Sequence, residues 1–314
     1  MRPKIQPNES LRSYVERSIF LSFGHPEKVV SDASKFVMKN GNVRAIAEYL
    51  GWDGCYGFNW LIHNHTSYPL KSLFKSDIAD FSYSGTKFEL YNNFIENEER
   101  KPAFCPSCVK DDMKKHGFSY WRRIPDFINV YATHKLTLVV DCPFCGITLS
   151  KHGAGKGFRS MWEGCKGRNF SEIDSISISE KDEVKAATIY EEICSYEYCL
   201  PKLLVYDVIL KRLVHEMASS RPQHAALGFY VDDLKKSSER LQRGKQYKHD
   251  GEGISLFIFD CIVLGFESFA EFVTEVRKYG YELHHITKYM SIYRDKTAAT
   301  SRYRIGGSRL SSVD

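Results

Sequence analysis

Four cysteines open and close one stretch of the chain, FCPSCVKDDMKKHGFSYWRRIPDFINVYATHKLTLVVDCPFCG, residues 104–146. Cys105 and Cys108 form one Cys-x-x-Cys pair, Cys142 and Cys145 form a second, and His134 lies between them. A Cys-x-x-Cys turn aims two thiolates at one point, and a second hairpin with two more Cys or His ligands completes a tetrahedral zinc site. On spacing alone the four paired cysteines around one ion are the simplest set, but 33 residues separate the pairs and Cys165 follows in GCKGR. The chain has nine cysteines, an odd number, and five of them fall between 105 and 165. In an intracellular chain such clustering favours metal over disulfides.

Other chemistries find little support. The loop KHGAGKGF, with Gly153, Gly155 and Gly157, lacks the Lys-Ser/Thr ending and preceding strand of a phosphate-binding loop. There is no Gly-x-Ser-x-Gly elbow, no His-Glu-x-x-His pair and no evident two-metal carboxylate cluster. Cys194 and Cys199 have no histidine or basic neighbour in EICSYEYCLPK, and Cys55 and Cys261 lie in apolar stretches. All four read as packed thiols rather than nucleophiles. A binding protein, not an enzyme, is expected.

These residues need elements to position them. With 314 residues, 43% hydrophobic and 14% aromatic, the chain has material for two or three cores. No apolar run is long enough for a membrane span and the start lacks a signal peptide, so a soluble cytoplasmic protein is expected, with no membrane partner. Residues 1–100 read as a helical domain. Leu11, Tyr14, Val15, Ile19 and Leu21 recur near a helical period after Ser10, a natural N-cap. In NVRAIAEYLGW, Val43, Ile46, Ala47 and Leu50 share a face that ends at Gly51. This is the packing pattern of a helix–turn–helix corner, and equally of a plain amphipathic helix.

Residues 101–178 form the Cys-rich unit, 179–250 a helical region and linker, and 251–314 a C-terminal helical domain. The expected fold class is mainly α with a small zinc-ribbon-like insert: helical N-terminal domain, zinc-finger middle, helical C-terminal domain with a helix–turn–helix. From Arg277 to Asp314 eight lysines and arginines face three carboxylates, which accounts for the whole chain's net charge of +5. The last helix of this segment would carry Arg294, Lys296, Thr297, Thr300, Ser301, Arg302 and Arg304, side chains suited to phosphates and base edges of double-stranded DNA. In SYWRRIPDF, Trp121 reads as core, while Arg122 and Arg123 are further contacts for a nucleic acid or a partner.

Three stretches together carry a resemblance. PNESL (Pro7, Glu9, Ser10, Leu11), HTSYPL (His65, Thr66, Pro69, Leu70) and the Cys-rich run from FCPSC through YWRR to CPFCG occur in the order seen in the TniQ/TnsD family of transposon target-selection proteins, which the chain resembles over about residues 5 to 150. The resemblance implies two zinc sites. One would join Cys105 and Cys108 to a Cys-x-x-His, and the other would join Cys142 and Cys145 to a later Cys-x-x-Cys. The chain departs from both, with Tyr131 for the third cysteine of the first, leaving His134, and Arg168 for the last cysteine of the second, leaving Cys165. Three arrangements fit. Replacement ligands such as His116 and His152 complete the sites; packing around Tyr131 and Trp121 replaces the metal; or the four paired cysteines share one ion.

In function, the resemblance implies a factor that selects a transposon's target site and recruits an AAA+ ATPase regulator of transposition, which engages the transposase. Some members read target DNA, as this basic C-terminal segment would, and others dock on an RNA-guided CRISPR effector. Zinc is the expected cofactor, and a second copy of the chain is among the expected partners. An ordinary zinc-containing transcriptional regulator would use the same basic helix without the PNESL stretch.

Overall fold

Ser10 starts the first helix, α1 (Leu11–Phe23): its side chain accepts the Ser13 backbone N–H, and Gly24 ends the helix by donating its N–H to the Phe20 carbonyl. The computed structural model describes residues 3–24, 38–52, 54–75, 94–96, 102–152, 161, 164–174, 180–198, 200–219, 225–243 and 252–284. The described residues are mostly helical, with ten α-helices and six short strands. They divide into two compact units, residues 1–68 with 92–188, and residues 69–91 with 189–314. Among them no helix is long and apolar enough to cross a membrane.

In the first unit, α1 buries Leu11 and Tyr14, as its period predicts, but the buried face then turns onto Glu16 and Arg17, while Leu21 is exposed. The cause is Glu9, which is fully buried and pairs with Arg17, so the helix rotates to bring that guanidinium inward. Next come β1 (Met38–Lys39) and α2 (Asn40–Leu50), where Asn42 reaches back to accept the Lys39 N–H. Gly51 terminates α2 in a left-handed conformation, and α3 (Gly54–His65) follows. The two helices touch where Gly57 meets Ala47. A Cβ on Gly57 would lie 2.7 Å from the Ala47 Cβ and 2.9 Å from that of Trp52, so only glycine permits this approach. Val43, Ile46, Ala47, Phe58, Leu61 and Ile62 form the buried seam. This is a tight helical corner of the kind its sequence predicts.

α4 (Tyr68–Leu73) leads into β2 (Phe74–Lys75), and β3 (Phe94–Glu96) pairs antiparallel with β1. The Cys-rich part contains α5 (Pro106–His116) and the hairpin of β4 (Val130–Tyr131) with β5 (Leu136–Thr137). It also has two single 3₁₀ turns, Leu149–Lys151 and Phe170–Glu172. It belongs to the same compact unit as the N-terminal helices. Its core joins Phe104, Val109, Trp121, Leu149, Met161 and Phe170 to Cys142 and Cys165. α6 (Lys181–Ser195) crosses from the first group of residues to the second.

The second unit is built on α7 (Lys202–Ser219), which packs against α8 (Ala225–Gln242), α9 (Glu252–Gly265) and α10 (Phe269–His284). A two-residue parallel pairing joins β2 to β6 (Leu200–Pro201). The apolar run ISLFIFDCIVLGF, which periodicity leaves open between helix and strand, is helical in α9. Ile258, Cys261 and Ile262 are fully buried there. Arg294, Lys296, Thr297, Thr300, Ser301, Arg302 and Arg304 lie outside the described residues.

Candidate metal centres

Two groups of Cys and His side chains gather in the first unit, each with its ligand atoms within 4.8 Å of one another: Cys105, Cys108 and His134, and Cys142, Cys145, His152 and Cys165. The two cysteine pairs therefore belong to different groups and do not converge on one point.

The first centre sits at the start of α5. Cys105 is its N-cap residue, Pro106 opens the helix, and Cys108 lies one turn in, so both sulfurs occupy the positive end of the helix dipole. The hairpin opposite supplies His134 from its turn, closed by a Lys135 N–H to Tyr131 carbonyl bond of 2.8 Å. His134 Nδ1 lies 3.3 Å from Cys105 Sγ and 3.4 Å from Cys108 Sγ. These are close to the edge of about 3.5 Å that a tetrahedron with zinc–sulfur and zinc–nitrogen bonds of about 2.3 and 2.0 Å would have. The other ring nitrogen, Nε2, lies 3.4 Å from the Asp111 carboxylate. With a cation in the group, a proton on Nε2 would face Asp111 and Nδ1 would turn its lone pair to the ion, the arrangement of a carboxylate–histidine–metal relay.

The thiols share their protons. Cys105 is held down to about 6, first by the hydrogen bond from the Cys108 thiol, with the Cys108 backbone N–H and His134 adding to it against the cost of burial. Cys108 is correspondingly pushed up, because it is the donor of that bond and is itself buried. One thiolate thus stands ready, and a cation would displace the second proton.

The second centre is held by two tight turns. Cys142 donates its N–H to the Ile147 carbonyl at 2.8 Å and accepts from Gly146 N–H at 2.7 Å; Gly146, at φ +73°, permits the sharp return. Cys165 and Arg168 exchange both backbone hydrogen bonds, at 2.9 and 3.0 Å, which presents the Cys165 sulfur to the first turn. His152 follows the 3₁₀ turn, its ring 5.9 Å from that of Phe170. The Cys145 thiol is lowered, chiefly by the Ile147 N–H, whereas Cys165 is raised to about 11, chiefly by burial and then by the hydrogen bonds it donates to Cys142 and Cys145.

Arg168, where the resemblance places a fourth cysteine, lies over the Phe144 ring at 4.1 Å and pairs with Glu172 at 3.1 Å. His152 supplies the fourth donor instead. It was one of the replacements open in the sequence; His116, the other, tilts against Phe118 and is outside the first group. The spacing of His152 gives no signal, because it depends on a 3₁₀ turn and on Phe170. Asp111 was likewise not legible as a partner of His134.

The remaining site residues are engaged within the unit. Arg122 forks onto Asp112 at 2.8 and 2.9 Å and lies over the Tyr120 ring at 4.6 Å. Arg123 is buried and donates to the Thr66 carbonyl at 3.4 Å and to Asn8 Oδ1 at 3.3 Å. Trp121 is buried in the core beside Phe104. Among the described residues Cys105, Cys108, Cys142, Cys145, Cys165 and Cys261 are thiols outside any disulfide. Cys194 and Cys261 are buried, and burial raises the Cys261 thiol. No protein-family model and no curated protein matches the chain.

Proposed function

We propose that the chain is a target-selection factor of the TniQ/TnsD type, with zinc in both Cys/His groups, that reads target DNA through its basic C-terminal segment and recruits an AAA+ ATPase regulator. The observation that carries this reading is the convergence of the three stretches on which the resemblance rests. Ser10 donates its N–H to the Trp121 carbonyl at 2.9 Å, Arg123 donates its N–H to the Asn8 carbonyl at 2.9 Å, and His65 Nδ1 lies 2.8 Å from the Glu9 carbonyl oxygen. PNESL, the His65 end of HTSYPL and YWRR are therefore joined within the first unit, which is what an ordered motif set derived from a single fold requires. The two separate Cys/His groups, in the two-site layout the resemblance implies, add to it.

In this reading the protein supplies surfaces and no chemistry of its own. Zinc, bound by thiolates and imidazole, would act structurally, tying α5 to the β4–β5 hairpin and the two turns of the second centre to one another. ATP hydrolysis and strand transfer belong to the partners.

The decisive test is co-purification with the AAA+ ATPase encoded by the same element, together with DNA binding measured across a salt series. Changing Arg302 and Arg304 to Ala should weaken binding and flatten the salt slope by about one unit per lost phosphate contact. Retained ATPase binding with no DNA affinity would assign the chain to an adaptor that docks on an RNA-guided effector. DNA binding without any ATPase association would indicate a zinc-containing regulator of transcription instead.

A further inference from the structure

We propose that the groove between α7 and α10 binds a phosphate group, as an anion site separate from the basic segment of residues 294–304. Both helices belong to the second unit, and the groove holds a cavity of about 220 Å³. One wall carries Lys211, Arg212 and His215 of α7, where Lys211 and His215, four residues apart, share a helix face. The other carries Lys278 and Tyr279 of α10, and Phe266, just past the end of α9, lines the same cavity.

Arg212 builds the wall. Its Nε donates to the Gly265 carbonyl at 2.8 Å, and its guanidinium pairs with Glu216 at 3.3 Å and Glu271 at 3.2 Å while lying over the Phe266 ring at 5.4 Å. Its charge is answered and its position fixed. The lysines differ, because among the described residues neither Lys211 nor Lys278 has a carboxylate partner. Lys211 Nζ lies 5.4 Å from the centroid of the Tyr279 ring, so its ammonium reaches across to the α10 wall. Lys211, His215 and Lys278 are all exposed, and their polar ends are open to an incoming ligand. Glu275 is the one carboxylate among the described lining residues, and no ion pair ties it to either lysine.

Two ammonium groups and an imidazole against one carboxylate select an anion. The donors come from both walls. A phosphate, with its oxygens set around a tetrahedron, accepts from both, whereas the two oxygens of a planar carboxylate face one side. The cavity lies below the roughly 300–1,000 Å³ of sites that enclose drug-sized ligands, so its occupant is one compact group and not a whole cofactor. Target DNA and a small phosphorylated molecule are the two sources of such a group, and only the first rests on the DNA reading above.

Lysine acylation read by mass spectrometry on the full-length protein tests the assignment and separates the sources. Lys235 and Lys236 of α8, exposed and outside the groove, serve as internal references. Lys211 and Lys278 should lose reactivity relative to them in double-stranded DNA, in inorganic phosphate at matched ionic strength, or in both, and acetate should not replace phosphate. Glu275→Gln should strengthen the protection by removing a repelling charge. Lys211→Gln combined with Lys278→Gln should flatten the salt slope of DNA binding by about one unit, because the two lysines share one phosphate. Protection by DNA together with that change of slope identifies a backbone phosphate; protection without it is shielding and overturns the proposal. Protection by inorganic phosphate alone assigns the groove to a small phosphorylated ligand, whether or not DNA binds elsewhere. Equal protection by acetate, or none by any probe while DNA binds and weakens in Arg302→Ala, defeats the groove and leaves the DNA reading standing. With no protection and no DNA binding, both are lost.

Discussion

Arg17 meets the buried carboxylate of Glu9 with two nitrogens, Nε at 2.9 Å from Oε1 and Nη2 at 2.8 Å from Oε2. The pair is not isolated. Glu9 also accepts the Gln6 backbone N–H at 2.8 Å and lies 3.3 Å from the Ser13 hydroxyl, and Arg17 donates to the Lys4 carbonyl at 2.7 Å and covers the Phe118 ring at 5.0 Å. Both carboxylate oxygens of Glu9 are thus partnered, which is what makes a buried ion pair tolerable.

Removing one partner should be severe. Arg17→Leu preserves the bulk of the stem but leaves the Glu9 carboxylate uncompensated, a change that typically costs about 3–5 kcal/mol. The denaturant midpoint of the purified variant should fall accordingly. The double variant Glu9→Gln with Arg17→Leu should recover part of the loss, because no charge is then stranded. A single variant as stable as the wild type would show that Glu9 reaches water.

His65 makes the stability of the first unit sensitive to acid. Burial, reinforced by the neighbouring Arg123 charge and opposed by the bond to the Glu9 carbonyl, lowers it from 6.5 to about 4. The neutral ring is the form the fold accepts, so its full contribution is present above pH 6.5 and is lost as the pH falls towards 4. The shift corresponds to roughly 3 kcal/mol across that window. Unfolding followed between pH 7 and 4 should show the wild type losing stability faster than His65→Asn, which cannot titrate. Parallel curves would mean that His65 takes up its proton equally in the folded and unfolded states and that burial does not hold it neutral.

Gly57 is the contact point of α2 and α3. Gly57→Ala places a methyl 2.7 Å from the Ala47 Cβ, and since neither backbone can retreat without opening the corner, the cost should be about 1–3 kcal/mol despite the gain in helix propensity. Pairing it with Ala47→Gly should return much of that loss, whereas full stability of the single variant would show that the two helices slide freely.

The local code explains which parts of this architecture could be read in advance. Ser10 as a cap, Gly51 as a stop and the Val43–Ile46–Ala47 face depend on neighbours within a few residues, and each was legible. The rotation of α1 was not, because it answers to Glu9, a residue outside the helix whose burial no period reveals. The same distinction runs through the metal centres. Cys-x-x-Cys turns announce themselves and His152 is one of two histidines the sequence offers as a replacement, but only placement by a 3₁₀ turn selects it, and Asp111 becomes a partner only through α5. The arginines of YWRR, which look like nucleic-acid contacts in a string of letters, form bonds to Asp112 in the preceding helix and to Thr66 and Asn8 far away in sequence.

The identity of the fourth ligand in the second centre can be settled by comparing two histidines. His152→Ala removes a donor within 4.8 Å of Cys142, Cys145 and Cys165, whereas His116→Ala removes a ring that tilts against Phe118 and joins neither group. Elemental analysis should find two zincs per chain in the wild type and in His116→Ala. His152→Ala should lose its second ion to a chelator at a concentration that leaves the wild type loaded, and its thermal midpoint should fall with it, since metal binding and folding are coupled. The first centre supplies the acid limit. Because its ligands must be deprotonated to bind, its ion should be lost on acidification, and Cys105→Ser should move that loss to higher pH. Equal chelator sensitivity of the two histidine variants would leave Cys142, Cys145 and Cys165 to hold their ion without His152.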